Sequence, residues 1–153
     1  MTYKFEHLDV WRTALDYIDA IYKLAEGLPR SEEYNLKSQI VRAATSVALN
    51  IAEGSQGQTN PEQSRFLGMA IRSLIETVAC QQIIRRRGYF QDETLSNKIY
   101  EDSQVLAKKL QSFRKSISSS TYQVRDVASE YEMMTLYRPP HRQLSMVNRL
   151  LDK

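Results

Sequence analysis

Cysteine is almost missing from this chain. Cys80 is the only one in 153 residues, which excludes an internal disulfide and fits a reducing, cytoplasmic setting. Its neighbours Val78 and Ala79 describe an inert, partly covered thiol rather than a nucleophile. Histidine is nearly as scarce. His7 and His141 are the two present, so zinc has too few ligands. Neither follows a glutamate by three residues, because Lys4 and Arg138 stand there, which removes the Glu-x-x-His pairs of a di-iron bundle. Five glycines and four prolines are too few for the turns of a sheet protein this long, so helices are favoured. No apolar run approaches the roughly 20 residues of a membrane span. Glu6, Asp9 and Arg12 interrupt the N-terminal stretch where a secretory signal would be apolar. Phosphate-binding glycine loops, dinucleotide glycine patterns and nucleophile elbows are also missing. The expectation is a non-enzymatic protein with no cofactor, no metal and no membrane partner.

What remains is ordinary globular material, 42% hydrophobic and 25% charged. The formal charge is +3, and it is unevenly spread. The first 60 residues carry 6 basic and 8 acidic side chains, and the next 60 carry 10 and 6.

Helical periodicity runs through most of the chain. Leu8, Trp11, Leu15, Ile18, Tyr22 and Ala25 recur at alternating steps of three and four, which gives a helix over residues 8–26. Gly27, suited to a left-handed cap, and Pro29 end it. Ser31 caps a second helix reaching Glu53, with Leu36, Ile40, Ala44, Val47 and Ile51 inward and Gly54 as its stop. Asn60-Pro61-Glu62-Gln63 opens a third helix, Asn60 capping and Pro61 in the first position. Its seam is Leu67, Ile71, Leu74 and Val78, and Gly88 stops it. A fourth helix over residues 92–118 turns Leu95, Ile99, Leu106, Leu110, Phe113 and Ile117 inward. Short loops between long helices describe an all-α, antiparallel up-down-up-down four-helix bundle over residues 1–118. The serine-rich stretch 116–121 reads as a break before a C-terminal extension, residues 119–153. There Val124, Val127, Tyr131 and Met134, and beyond Pro139-Pro140 also Leu144, Val147 and Leu151, are again helically spaced. The extension is either a packing arm with a short helix or a loosely ordered one.

Two constellations stand out. On the second helix Gln39, Arg42, Ser46, Asn50 and Glu53 form one narrow polar stripe, while Val41, Ala48, Leu49 and Ala52 occupy most of the remaining circumference. Either the stripe is solvated, or it is a hydrogen-bonded network or subunit interface shared with Ser73 and Glu76 of the third helix. In the second reading Arg42 pairs with Glu53 or Glu76, since a buried cation needs a partner. A helix so apolar around its girth also argues for a homo-oligomer. The second constellation is basic. Arg85, Arg86 and Arg87, with Lys108, Lys109 and Lys115, lie in a region that includes Tyr89, Phe90 and Tyr100. The arginines either complement a helix C-terminus or join the lysines in a surface for phosphate backbones and bases.

Three elements carry a resemblance: Phe5-x-x-Leu8-x-x-Trp11, then Gln39-x-x-Arg42-Ala43-Ala44-x-Ser46-x-x-x-Asn50-Ile51-Ala52-Glu53-Gly54, then Phe66-Leu67-x-x-Ala70-x-x-Ser73-x-x-Glu76 followed by Gly88-Tyr89. Over residues 3–118 the chain resembles the bacterial four-helix bundle proteins related to those encoded in intervening sequences of 23S ribosomal RNA genes. The resemblance implies a ring-like homopentamer. It also implies a fold shared with the accessory proteins of diversity-generating retroelements, which bind a reverse transcriptase and nucleic acid. The favoured reading is an oligomeric helical-bundle adaptor with a basic surface for RNA or DNA. The alternative is a protein-interaction scaffold with no nucleic-acid role.

Overall fold

A computed structural model describes residues 2–57, 59–90 and 92–136, with side chains described through residue 118. It divides into two units, Met1–Ser118 and Ser119–Lys153. The first is a bundle of four helices: α1 (Asp9–Glu26), α2 (Ser38–Gln56), α3 (Asn60–Arg86) and the first part of α4 (Glu93–Leu136). No strand occurs among the described residues. In the second unit the described residues, 119–136, are helical. Residues 137–153, with Pro139-Pro140 and the spaced Leu144, Val147 and Leu151, lie outside the described residues.

Hydrogen bonds between helices fix their directions. Ser46 of α2 meets Ser73 of α3, and Gln81 and Ser64 of α3 reach Ser96 and Arg114 of α4. Lys109 of α4 returns to Asp9 of α1. With Gln39–Glu76 beside Ser46–Ser73, and Gln81–Ser96 beside Ser64–Arg114, rising numbers meet falling ones, so α2 and α3, and α3 and α4, are antiparallel, and Lys109 brings α4 back to α1.

The core holds the expected α2 and α4 seams. Leu36, Ile40, Ala44, Val47 and Ile51 are buried, as are Ile99, Leu106, Leu110 and Ile117. In α1 the buried face is turned from the expected seam. Val10, Ala14, Tyr17, Ile21 and Leu24 are inside, whereas Leu15 and Tyr22 are 41% and 47% exposed. Both sets have helical spacing, and Tyr17 is the deciding residue. Its hydroxyl crosses the core to Thr77 Oγ1 at 2.8 Å. Thr77 spends its own proton on the Leu74 carbonyl at 2.7 Å, so Tyr17 donates and Thr77 accepts. Polar residues likewise displace the expected Val78 from the inner face of α3, where Thr77 and Gln81 are 0% and 1% exposed. Gln81 Nε2 donates to the Ser96 carbonyl at 2.6 Å, and its Oε1 is buried without a partner among the described residues.

Burial pushes the Tyr17 phenol up from 10.0 to about 12. A folded pKa above the unfolded one stabilises the fold below pH ~10, and that contribution is lost as pH climbs toward 12. A rise of this size corresponds to about 2–3 kcal/mol. Denaturation curves at rising alkaline pH should show this loss, and Tyr17→Phe should remove it.

Helix ends depart from expectation where packing overrides local signals. Gly27 is right-handed at φ −79°, and the positive φ among the glycines is at Gly88, 72°. There the Tyr89 N–H returns to the Ile84 carbonyl at 3.2 Å and the Gly88 N–H to Arg85 at 3.0 Å, closing α3 as expected. Gly54 does not end α2. It is buried inside the helix, and a Cβ there would lie 2.8 Å from Phe66 Cβ, so the glycine permits close approach of α2 and α3. Thr59 rather than Asn60 caps α3, accepting from Glu62 N at 3.4 Å. Ser31 caps nothing, because the chain enters α2 through a 3-10 turn at Arg30–Glu32 and a π turn at Glu33–Lys37. The stretch 116–121 is helix, not a break. Ser116 Oγ bonds back to Phe113 O at 2.8 Å and Ser118 Oγ to Arg114 O at 3.0 Å, which satisfies the hydroxyls without leaving the helix. Before α1, a 3-10 turn at Lys4–His7 stacks Tyr3 on Phe5 and sets Phe5 edge-on to Trp11, with centroids 4.6 Å apart.

Candidate functional site

The polar stripe of α2 is drawn onto α3, but not as one ionic network. The Gln39 amide donates to Glu76 Oε1. Ser46 and Ser73 share a hydrogen bond of 2.9 Å, and Asn50 Nδ2 donates to the Ser46 carbonyl at 2.8 Å and to its hydroxyl at 3.1 Å. Arg42 and Glu53 are exposed and make no ion pair among the described residues, so the expected pairing of Arg42 with Glu53 or Glu76 is absent. The reason is rotational. Turning Gln39, Ser46 and Asn50 toward α3 leaves Arg42 and Glu53 on the outer side of α2. The stripe is thus a ladder of hydrogen bonds, part-buried and neutral at Ser46, Ser73 and Asn50 and exposed at the Gln39–Glu76 rung, with Arg42 and Glu53 at its outer rim.

Beside that rim is an open depression of about 470 Å³, lined by Tyr22, Val41, Arg42, Thr45, Leu49 and Glu76. Leu49 is 54% exposed. Tyr22 of α1 lines the same depression and is exposed, as is Leu15 seven residues earlier on α1, so both helices carry apolar side chains left uncovered among the described residues. Sequence reasoning missed the α1 contribution because it placed Leu15 and Tyr22 in the core. A second apolar strip runs along α3, where Ile75, Ala79 and Ile83 are exposed at four-residue steps.

The basic residues separate into two groups. Arg85, Arg86 and Arg87 are exposed where α3 meets the α3–α4 loop. Lys108 and Lys115 follow the start of α4 by about 22 and 33 Å at 1.5 Å per residue, toward the other end of the bundle. Lys109 is neutralised, its Nζ lying 2.6 Å from Asp9 Oδ2 and 2.8 Å from Thr13 Oγ1. The six basic residues therefore form no single patch. The structure instead brings Lys23 and Arg30 to the arginine end, a pairing that sequence distance had hidden. The tie is Glu32, 8% exposed, which accepts from Tyr89 Oη at 3.1 Å and from Asn35 Nδ2 at 2.9 Å. It binds the α1–α2 connection to the α3–α4 loop. Arg87 Nη2 donates to the same Tyr89 hydroxyl at 3.3 Å, and its guanidinium lies 5.7 Å from the ring centroid. That hydrogen bond holds the Arg87 pKa above its ordinary value. Its direct partner is a phenol, with the Glu32 carboxylate acting on it from the other side of that hydroxyl, and Arg87 makes no ion pair among the described residues.

Elsewhere the chemistry is quiet. Burial, then the nearby Glu76, pushes the Cys80 thiol up, which keeps it protonated and unreactive. A thiol reagent should therefore label the native protein far more slowly than the unfolded chain. No group of three or more His, Cys, Asp or Glu able to hold a metal occurs among the described residues. No described helix is long and apolar enough to cross a membrane.

The family described as 23S rRNA-intervening sequence protein matches residues 6–112. Among solved structures, a protein of unknown function of the S23 ribosomal protein family from Bacteroides thetaiotaomicron is 28% identical, with a TM-score of 0.64. The match covers 69% of this chain and 98% of that one. No curated protein matches the chain.

Proposed function

The chain belongs to the 23S rRNA-intervening sequence protein family, and from that premise we propose that it is a non-enzymatic, oligomeric helical-bundle adaptor that holds RNA or DNA at its arginine-bearing end. The observation that carries this reading is the exposure of Arg85, Arg86 and Arg87, which make no ion pair among the described residues, beside Lys23 and Arg30, which make none there either. An arginine serving only its own helix end needs no such company. Five cations gathered from three segments make a surface suited to a phosphate backbone. The assembly half of the proposal rests on the uncovered side chains of Leu15, Tyr22 and Leu49 and the separate strip of Ile75 and Ile83. Two different apolar surfaces on one chain fit a head-to-tail contact, which closes into a ring such as the homopentamer that the family resemblance implies. A ring would repeat the arginine end and add avidity.

Fluorescence anisotropy of labelled RNA and DNA at about 50 and 200 mM salt tests the reading. Binding should be largely sequence-independent and should fall steeply with salt. Arg85→Ala with Arg86→Ala should weaken it for every sequence and flatten the salt slope by roughly 0.7–0.9 for each phosphate that is no longer neutralised. Lys109→Ala should leave binding nearly unchanged, because that ammonium is already held by Asp9. No binding at the lower salt would leave the protein-interaction scaffold as the function, with a reverse transcriptase or another protein as its partner.

A further inference from the structure

At the arginine-bearing end of the bundle lies a narrow crevice of about 110 Å³, lined by Lys23, Leu28, Tyr89, Phe90, Asp92 and Leu95. We propose that this crevice receives one unpaired base of a single-stranded polynucleotide whose backbone lies along Arg85, Arg86, Arg87 and Arg30. The proposal rests on the nucleic-acid reading above and adds the class of strand and the position of a base.

Five observations converge on it. The walls are apolar and aromatic, as the flat face of a base requires. Tyr89 is already fixed, its hydroxyl held by Glu32 and Arg87, so its ring gains a partner without losing rotamer freedom. Phe90 is only partly buried, packed against the core on one side. Two polar groups mark the rim, the Lys23 ammonium as a donor and the Asp92 carboxylate as an acceptor. Asp92 commits Oδ1 to capping α4, accepting from Thr94 N at 2.9 Å and Leu95 N at 3.2 Å, and leaves its second oxygen for an N–H of the base, such as the ring N–H of uracil or thymine. Arg85, Arg86 and Arg87 are exposed at the same end and make no ion pair among the described residues, which complements a phosphate chain. Duplex bases are stacked and paired, so only an unpaired strand can supply a base to the slot.

The test uses the full chain and changes the ligand first, which leaves folding untouched. Short homopolymers of U and of dT are compared with duplexes of equal length and with a strand carrying abasic sites, all by anisotropy. Single strands are expected to bind more tightly than duplexes, and abasic sites should weaken binding about 5- to 150-fold, the range of one missing base–aromatic stack. Phe90→Leu should weaken the intact strand and leave the abasic strand unchanged, because it keeps apolar volume and removes the ring face. Comparing U with dT shows whether the 2′-hydroxyl contributes. Equal binding of single, duplex and abasic ligands, with a steep salt slope retained, overturns the crevice and leaves the phosphate-binding function standing. Absence of binding to any of them at low salt overturns both.

Discussion

Gly54→Leu lowers the stability of the bundle by about 3 kcal/mol, the upper range for forcing extra volume into a packed interior. The position is buried, and even the first added carbon would stand 2.8 Å from Phe66 Cβ. Phe66 Cβ is attached to its own backbone, so no rotamer change can move it aside. The α2 and α3 axes must separate, and the Ser46–Ser73 hydrogen bond lies on that same interface. Gly27→Ala makes the opposite case. Gly27 is exposed and right-handed, and a Cβ there meets only the Leu24 carbonyl oxygen at 3.5 Å. It should stabilise by about 0.4–1 kcal/mol by restricting the unfolded chain. Urea denaturation of the two variants beside the parent measures both. Equal effects of the same sign would contradict the close-approach role of Gly54.

Leu49→Asp with Leu15→Asp should convert the proposed assembly to a monomer of 17.7 kDa without unfolding the chain. Leu49 is 54% exposed and Leu15 41%, so in a single bundle each change costs little, within about 0.5 kcal/mol for a surface site. In an assembly both carboxylates would be buried without a partner, which costs several kcal/mol for each ion. Light scattering gives the mass and circular dichroism the helicity. A parent that is already a monomer at micromolar concentration would remove the ring. A variant that keeps the parent mass would move the interface elsewhere.

Much of the fold was legible from spacing. The α4 seam could be read because that helix is apolar on one side and charged elsewhere, and the α2 seam because Leu36, Ile40, Ala44, Val47 and Ile51 keep three- and four-residue steps in a helix that is apolar around most of its girth. In α1 the sequence offers two apolar arcs, one through Trp11, Leu15 and Tyr22 and the other through Ala14, Tyr17 and Ile21. Spacing cannot choose between them. The choice is made by Thr77, 60 positions away, which accepts the Tyr17 proton. Glycine signals were legible when the cause was local, as at Gly88, and failed when the cause was a neighbouring helix, as at Gly54. The functional surfaces divide the same way. The arginine run is contiguous and easily seen, whereas Lys23 and Arg30 join it only through the Glu32–Tyr89 contact across 57 positions. The lysines of α4 share a charge excess with the arginines in sequence, but helix length carries them to the far end.

The lone indole also decides what an optical experiment sees. Trp11 is half-buried and sits against Phe5 of the N-terminal turn. Its emission therefore reports first on whether that turn remains docked against α1. Far-ultraviolet dichroism, which sums over all four helices, reports on the bundle. An intrinsic-fluorescence melt that precedes the dichroism melt would mark release of the aromatic turn ahead of global unfolding, and coincident curves would show that the turn is part of the cooperative unit.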